Sequence, residues 1–526
     1  MYSYLIKDCI IAGADGGEPY KADLGIAGEK IAAIGRLDAE QSEKVIDASG
    51  LHLLPGFIDI HSHSDLDMLL APREINKLSQ GVTTEVCGNC GYSLFPVTEQ
   101  AKPAITAAAA SLGKECDFKW NDGSSFFGIA ESMSPGFNCL PLVGHGFLRL
   151  NAMGFDPSPA EGERLDLMKA LLKKELENGC FGFSTGLEYM PGCFAAYDEL
   201  MELCRLCASF GGVYTTHLRD QGEFLLENIA EAVRLAEETG VSVIISHLKA
   251  YGRSNWGKVS AALDLISDAR RTGLNVMADF YPYDRSSSNL DLLLPAWLKE
   301  GGPAKLAETL SSTSAREDVK KKIGGSMDES LEHTRFCTDA VLGGRSLSGM
   351  SIGEAADTAG LDRWDLVFDL ILECGTGVQT VSQMVDDSEI DLLAASDLTA
   401  VGSDSYAVAD IGNFSGHPRN FGTFPRFFRR YVMEKKIVSL SDAVRKTSRT
   451  AADFFGLDGR GRIEEGAYAD ILLIDLDNFT DRASYDQPAL QASGLEAVFT
   501  NGCIQFAGGE ATGRGSGKIL RRKNNG

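Results

Sequence analysis

The sequence predicts an α/β protein: a (β/α)8 TIM-type barrel with an insertion, joined to a small β-sandwich or β-barrel module built from both termini. Three observations carry this reading. Short apolar runs alternate with amphipathic stretches through the middle of the chain, polar residues capable of chemistry stand where those runs end, and both chain ends alternate apolar and polar residues between Gly/Asp turns.

At the N-terminal end, YLIKDCIIAGADGG, KADLGIAGEKIAAIG and EKVIDASGLHLLPG read as strands, and RIEEGAYADILLIDL and LEAVFTNGCIQFAGG return to that style near the other end. Neither end alone supplies enough strands for its own core, so residues 1–54 and 458–526 are expected to form one module. Residues 55–457 are expected to form the barrel. Its strand candidates are GFIDIHSHSD, GVTTEVCG, NCLPLVGHG, GCFGFSTGL, GVYTTHLRD, VSVIISHLKA, LNVMADFYPY, VQTVSQ and LTAVGSDS. A typical barrel takes about 250 residues, so this span has room for an insertion between Tyr283 and Ala400, expected around 286–350, where ETLSSTSAREDVKKKIGGSMDESLEHT is charged and helical in character. The tail after Ala511 is rich in Gly, Lys and Arg, and its end is expected to fray.

The chain has 526 residues, 44% hydrophobic and 24% charged, which is ordinary globular composition. Its net charge of -24 repels phosphate backbones and anionic lipid, which argues against nucleic acid and membrane partners. No apolar run approaches the roughly 20 residues that span a bilayer, and the start lacks a basic region followed by an apolar stretch, so a soluble cytoplasmic protein is expected. The 12 scattered cysteines do not resemble a secreted disulfide framework. A small-molecule substrate is expected, and a homo-oligomer stays open.

The sharpest chemical signal is PGFIDIHSHSD. Residues i and i+2 of a strand face one side, so His61 and His63 can grip one divalent metal at a barrel mouth. A single strand-end histidine is ordinarily structural. His217 in VYTTHLRD and His247 in VIISHLKA end consecutive strand candidates, however, and together with the His-x-His they favour metal. Cys90 in GVTTEVCGNCGYS offers a thiolate, which can ligate zinc or bridge two ions; Cys87 makes a Cys-x-x-Cys with it but lacks the βαβ redox context and reads as a packing residue. Asp404 in TAVGSDSYAV can ligate a metal or shuttle a proton to a leaving amine, although strand-end aspartates often only cap helices. Arg219, Lys249, Tyr281, Tyr283, Ser286 to Ser288 and Arg419 are candidate anion-binding groups, while His145 and His417 could be supporting or structural.

With these motifs the chain resembles the N-acyl-D-amino-acid deacylases, or D-aminoacylases, of the amidohydrolase superfamily. The resemblance runs nearly end to end through PGFIDIHSHSD, GVTTEVCGNCGYS, LVGHGFLR, GFSTGLEYMPG, TTHLRD, SHLKAYG, DFYPYDRSSS, GSDS, GHPRNFGTFPR and GRIEEGAYADILLIDL. Related cyclic amidases usually supply a carboxylated lysine as bridging ligand, so GNCG with Cys90 favours the deacylase branch. The resemblance implies zinc held tightly by Cys90, His217 and His247, with a weaker or optional second ion near His61 and His63. It implies Asp404 as catalytic acid/base and metal neighbour, and Lys249, Tyr281, Ser287 and Arg419 as substrate-binding groups, with the choice between Tyr281 and Tyr283 open. Glu188 stands where members preferring apolar side chains tend to have an apolar residue. Facing the pocket, it would disfavour acidic D-amino acid derivatives; otherwise it points to solvent or pairs with Arg219. The rival readings are a cyclic amidase (hydantoinase- or dihydroorotase-like), a dipeptidase-like metallohydrolase, and a catalytically silent scaffold, which would have lost its metal ligands.

Overall fold

The structure is a computed structural model and describes residues 1–73, 75–103, 105–106, 118–323, 331–337, 340–408, 411–414 and 416–523. Through the middle of the chain run parallel strands in sequential order: Phe57–Asp59, Val82–Cys87, Asn138–Pro141 continued by Val143–Gly144, Gly182–Gly186, Val213–His217, Ser242–Ile245, Val276–Phe280 and Thr399–Val401. Each lies beside the next, with Gly182 opposite Val213 and Val213 opposite Ser242. Parallel neighbours need a crossover, and helices such as Leu225–Thr239 and Lys258–Arg271 provide it. Val213–His217 and Val276–Phe280 are buried at every residue, as in a sheet covered on both faces. Just beyond the first and last strands, Ser62 bridges Ser405 in parallel, Asp404 N donates to His61 O at 2.8 Å and His63 N donates to Ser405 O at 2.9 Å.

One expected barrel strand is corrected. Within VQTVSQ, Gln379–Ser382 lies between Ser286–Asn289 and Thr334–Phe336 in a separate antiparallel sheet. A short run of this kind carries no periodicity that separates the two settings. The sheet belongs to the insertion, whose own hydrophobic cluster runs from Leu290 to Val378 through Phe336, Trp364 and Phe368, past the expected limit at 350. Of the charged segment, Gly302–Leu310 and Thr313–Ile323 are helical, and residues 324–330 lie outside the described residues.

The two chain ends share one nine-stranded sheet in which His52–Pro55 runs antiparallel to Ile471–Ile474. Two of its strands, His52–Pro55 and Ile471–Ile474, are apolar on both faces for a structural reason. Leu53, Ile471 and Leu473 enter the sheet's own cluster with Ile6, Ile26 and Phe499, whereas their neighbours Leu54, Leu472 and Ile474 enter the main core. The tail docks rather than hanging free: Ile519 bridges Cys139 and Arg522 N donates to Gly179 O, while the expected frayed end, 524–526, lies outside the described residues.

Beneath the strand ends sits Lys77, fully buried on the short helix Ile75–Leu78. Its Nζ donates to Asp59 Oδ2 at 2.8 Å, Ser403 Oγ at 3.0 Å, Ser62 Oγ at 3.3 Å and Ser405 O at 3.4 Å, and lies 3.7 Å from Glu85 Oε2. Burial alone would lower the pKa of this ammonium, but Asp59 and Glu85 outweigh it and raise the value. Removing one partner of a buried ion pair costs about 3–5 kcal/mol. Lys77→Met is therefore expected to lower the unfolding free energy by about that amount in urea titrations; an unchanged midpoint would count against the clamp.

Candidate active site

Cys90, His247 and Asp404 all have left-handed backbone, with φ of 51°, 37° and 49°. Left-handed φ is uncommon outside glycine and clusters at functional sites. Three such residues here, from three different strand ends, converge on one point: ligand atoms of His61, Cys90, His247 and Asp404 lie within 4.8 Å of one another, all four residues buried. Flanking glycines make the Cys90 turn possible. Gly88 has φ +85°, and a Cβ there would fall 2.2 Å from Leu142 O; Gly91 has φ +77°, and its Cβ would fall 2.8 Å from Gly186 N. Asn89 secures the turn by donating to Val86 O at 2.9 Å.

Each clustered histidine shows one nitrogen to the thiol and gives the other to an anchor. His61 Nε2 is 3.3 Å from Cys90 Sγ and its Nδ1 is 3.2 Å from Asp279 Oδ2; His247 Nε2 is 3.5 Å from the same sulfur and its Nδ1 is 3.1 Å from Gln221 Oε1. Asp279 also accepts from His247 N at 2.8 Å, which couples the two ligand strands. His63 Nε2 lies 3.1 Å from Asp404 Oδ1, and Arg419 Nη1 lies 2.8 Å from Asp404 Oδ2.

Charges follow from these neighbours. Burial would raise the Cys90 thiol, but His61 and His247 outweigh it and hold it well below the usual thiol range. Burial likewise opposes the Asp404 carboxylate, yet Arg419 and His63 hold it well below the usual carboxylate range. His63 is raised to about 9 against burial by Asp404, whereas burial and the Lys249 ammonium push His247 down to about 3. A thiolate, a carboxylate and a neutral imidazole converging in a buried space are a donor set that suits a divalent cation such as zinc.

His217 is not part of the four-residue cluster. It stands against it, with its ring centroid 4.5 Å from that of His247 in an edge-to-face arrangement, and its Nδ1 is buried with no hydrogen-bond partner among the described residues. Its Nε2 is 2.6 Å from Glu188 Oε2, while Arg219, the alternative partner for Glu188, is engaged by Glu231 at 3.0 Å. Lys249 reaches Gln221 Oε1 at 2.8 Å, and burial pushes its ammonium down to about 8. The two tyrosines separate cleanly. Tyr283 donates to Pro418 O at 3.4 Å and packs on His417, whereas the Tyr281 hydroxyl is buried with no geometrically sound hydrogen bond among the described residues, its ring 4.8 Å from the Arg419 guanidinium. Ser287 sits half-buried on the insertion strand in register with Val381 and does not join these hydrogen bonds. His145 pairs with Glu199 at 2.7 Å beside Arg149, and His417 accepts from Arg419 N at 3.0 Å, so both act as supports.

Sequence reading missed Asp279, Gln221 and Lys77. Asp279 carried a usable signal, a lone carboxylate inside the apolar run VMADF, whereas nothing distinguishes Gln221 or Lys77 in sequence from solvated polar residues.

The arrangement defines a metallohydrolase of the amidohydrolase type, and the comparisons agree. The profile of the amidohydrolase family matches residues 44–111 and 353–505. N-acyl-D-glutamate deacylase of Alcaligenes xylosoxydans xylosoxydans is 35% identical over 96% of this chain and 94% of its own length; D-aminoacylase of the same organism is 31% identical over 95% and 94%. The crystal structure of N-acyl-D-glutamate deacylase from Bordetella bronchiseptica, complexed with zinc and a phosphonate inhibitor, is 32% identical, covers 99% of each chain and superposes with a TM-score of 0.84. This chain belongs to the N-acyl-D-amino-acid deacylase family of the amidohydrolase superfamily, with its TIM-barrel fold.

The glycine geometry supplies a direct check. Gly88→Ala is expected to lower the thermal unfolding midpoint and weaken zinc retention, because the methyl group would meet the Leu142 carbonyl and strain the turn that carries Cys90. An alanine variant with wild-type stability and zinc content would remove this account of GNCG.

Proposed function

We propose that the protein hydrolyses the amide bond of N-acyl-D-amino acids, giving a carboxylate and a free D-amino acid, with zinc bound among Cys90, His217, His247, His61, His63 and Asp404. The observation that carries this reading is the convergence of Cys90, His247 and Asp404, each in left-handed backbone, on one buried point. A zinc bound there would supply Lewis acidity and activate water.

The chain's own residues account for the rest. Asp404, held ionised by Arg419, can take a proton from the attacking water and hand it to the departing amine. Lys249 and Arg419 are buried cations beside the cluster, fitted to hold the substrate α-carboxylate, and the buried Tyr281 hydroxyl is fitted to meet the reacting carbonyl. Ser287, half-buried on the insertion strand and outside the site's hydrogen bonds, is kept as a substrate-binding group on the family resemblance alone. Fixing carboxylate and carbonyl at two points leaves one direction for the side chain, which yields selection for one enantiomer. Glu188 borders that space: Oε2 is engaged by His217 and the side chain keeps 24% exposure, so an acidic side chain is repelled and a polar or basic one accepted.

The same reading takes residues 55–457 as a catalytic barrel whose eight strands close through the Ser62–Ser405 contact, and 1–54 with 458–526 as the β-module. A cytoplasmic setting is supported by the described cysteines, all of them free, and among the described residues no helix is long and apolar enough to cross a membrane. The net charge of -24 supports a small-molecule partner rather than nucleic acid.

Amine release from paired N-acetyl-D- and N-acetyl-L-methionine, measured with metal content, tests the reading. Zinc near one equivalent or more with D-selective release is expected, and Cys90→Ala and Asp404→Ala should each lose at least about 100-fold in kcat/KM, the scale of a lost acid/base or metal interaction. Zinc without release from either enantiomer would move the substrate to a cyclic amide or a peptide. Arg419→Gln removes the cation that keeps the Asp404 pKa low, so the acid limb of kcat/KM is expected to move to higher pH; an unmoved limb would separate Arg419 from Asp404.

A further inference from the structure

We propose that Glu188 is a positioning residue for the metal site: its carboxylate holds His217 in the orientation and tautomer that leave Nδ1 as the inward-facing ligand atom. This rests on the metallohydrolase reading above and concerns a different role for Glu188 from contact with the substrate side chain.

A carboxylate only accepts, so the 2.6 Å contact between His217 Nε2 and Glu188 Oε2 places a proton on Nε2. A neutral imidazole then has its lone pair on Nδ1, and that atom is buried without a partner among the described residues. An orphaned buried acceptor is costly, and here it belongs to a ring packed edge-to-face on His247 beside the thiolate. A cation bound next to Cys90 would satisfy it. The other two histidines follow the same plan, His61 anchored through Nδ1 by Asp279 and His247 through Nδ1 by Gln221. Glu188 supplies the third anchor. Gln221 links the second and third anchors: its Oε1 serves His247 and Lys249, and its Nε2 donates to Glu188 Oε2 at 3.4 Å rather than to the protonated His217 Nε2 3.0 Å away.

The backbone around Glu188 is fixed from two sides, as a positioning role requires. Leu187 N donates to His217 O at 3.0 Å, and the buried Lys299 of the insertion donates to Glu188 O at 3.1 Å. The carboxylate therefore approaches His217 from a held main chain, and a carboxylate on the outer nitrogen orients a metal-binding imidazole and raises its basicity.

The experiment uses the full chain, with zinc affinity read by chelator competition and the cobalt(II)-substituted protein read by its visible spectrum. Glu188→Leu is expected to weaken zinc binding by about 10–100-fold and to shift the cobalt bands. Glu188→Gln, which retains an acceptor oxygen, should restore most of the affinity and the wild-type spectrum, and the unfolding midpoint of the zinc-free protein should be the same in all three. Should Glu188→Leu fail to fold, the Gln variant and a Glu188→Ala variant carry the comparison. Zinc affinity and cobalt spectrum unchanged in Glu188→Leu, with only the ranking of N-acetyl-D-methionine, -lysine and -glutamate altered, would overturn the proposal and leave Glu188 a substrate contact. A wild-type protein that holds no zinc would overturn the metallohydrolase reading itself.

Discussion

Everything at the mouth of the strands depends on the ammonium of Lys77. It joins Asp59 and Ser62 on the first strand segment, approaches Glu85 on the second, and reaches Ser403 and Ser405 after the last. Ser62, Ser403 and Ser405 adjoin His61, His63 and Asp404, so one buried cation sets the spacing between the two ends of the strand series and the candidate ligands they carry. Buried charge of this kind is weak evidence for stability and better evidence for a unique arrangement. Here the arrangement is what the chemistry uses.

Above that clamp, the site concentrates opposing demands. A thiolate and a carboxylate stand in a buried space, kept ionised by neighbouring imidazoles and Arg419, and the backbone that presents them is left-handed at three residues. Left-handed backbone at non-glycine residues persists only where the surroundings over-determine it. The glycines on either side of Cys90 and the anchors Asp279, Gln221 and Glu188 provide that surrounding structure. The insertion takes part as well, since its Lys299 holds the main chain of Glu188.

Much of this was legible in the sequence, because periodicity and local chemistry were enough. Strand ends occupied by His61, His63, Cys90, His217, His247 and Asp404 stand out against apolar runs, the family resemblance reads them as a zinc site, and the structure brings His61, Cys90, His247 and Asp404 together. Legibility failed where the answer depends on distant partners. VQTVSQ has the look of a buried strand, yet its sheet is chosen by Ser286–Asn289 and Thr334–Phe336. Glu188 could have faced solvent, Arg219 or the site; Glu231 engages Arg219 and leaves His217 as its partner. Lys77 and Gln221 look like surface residues until the fold buries them.

The shared sheet at the chain ends has a consequence for assembly in time. His52–Pro55 leads directly into the strand before His61, and its antiparallel neighbour is Ile471–Ile474. A ribosome adding about 5–20 residues per second needs on the order of tens of seconds to travel between them. Until then the edge of His52–Pro55 that Ile471–Ile474 will cover has no partner, and an unpaired apolar edge is a template for wrong pairing. A nascent chain halted before Ile471 thus carries the start of its own active site on an open strand, and the window for misassembly closes only when the last strands arrive.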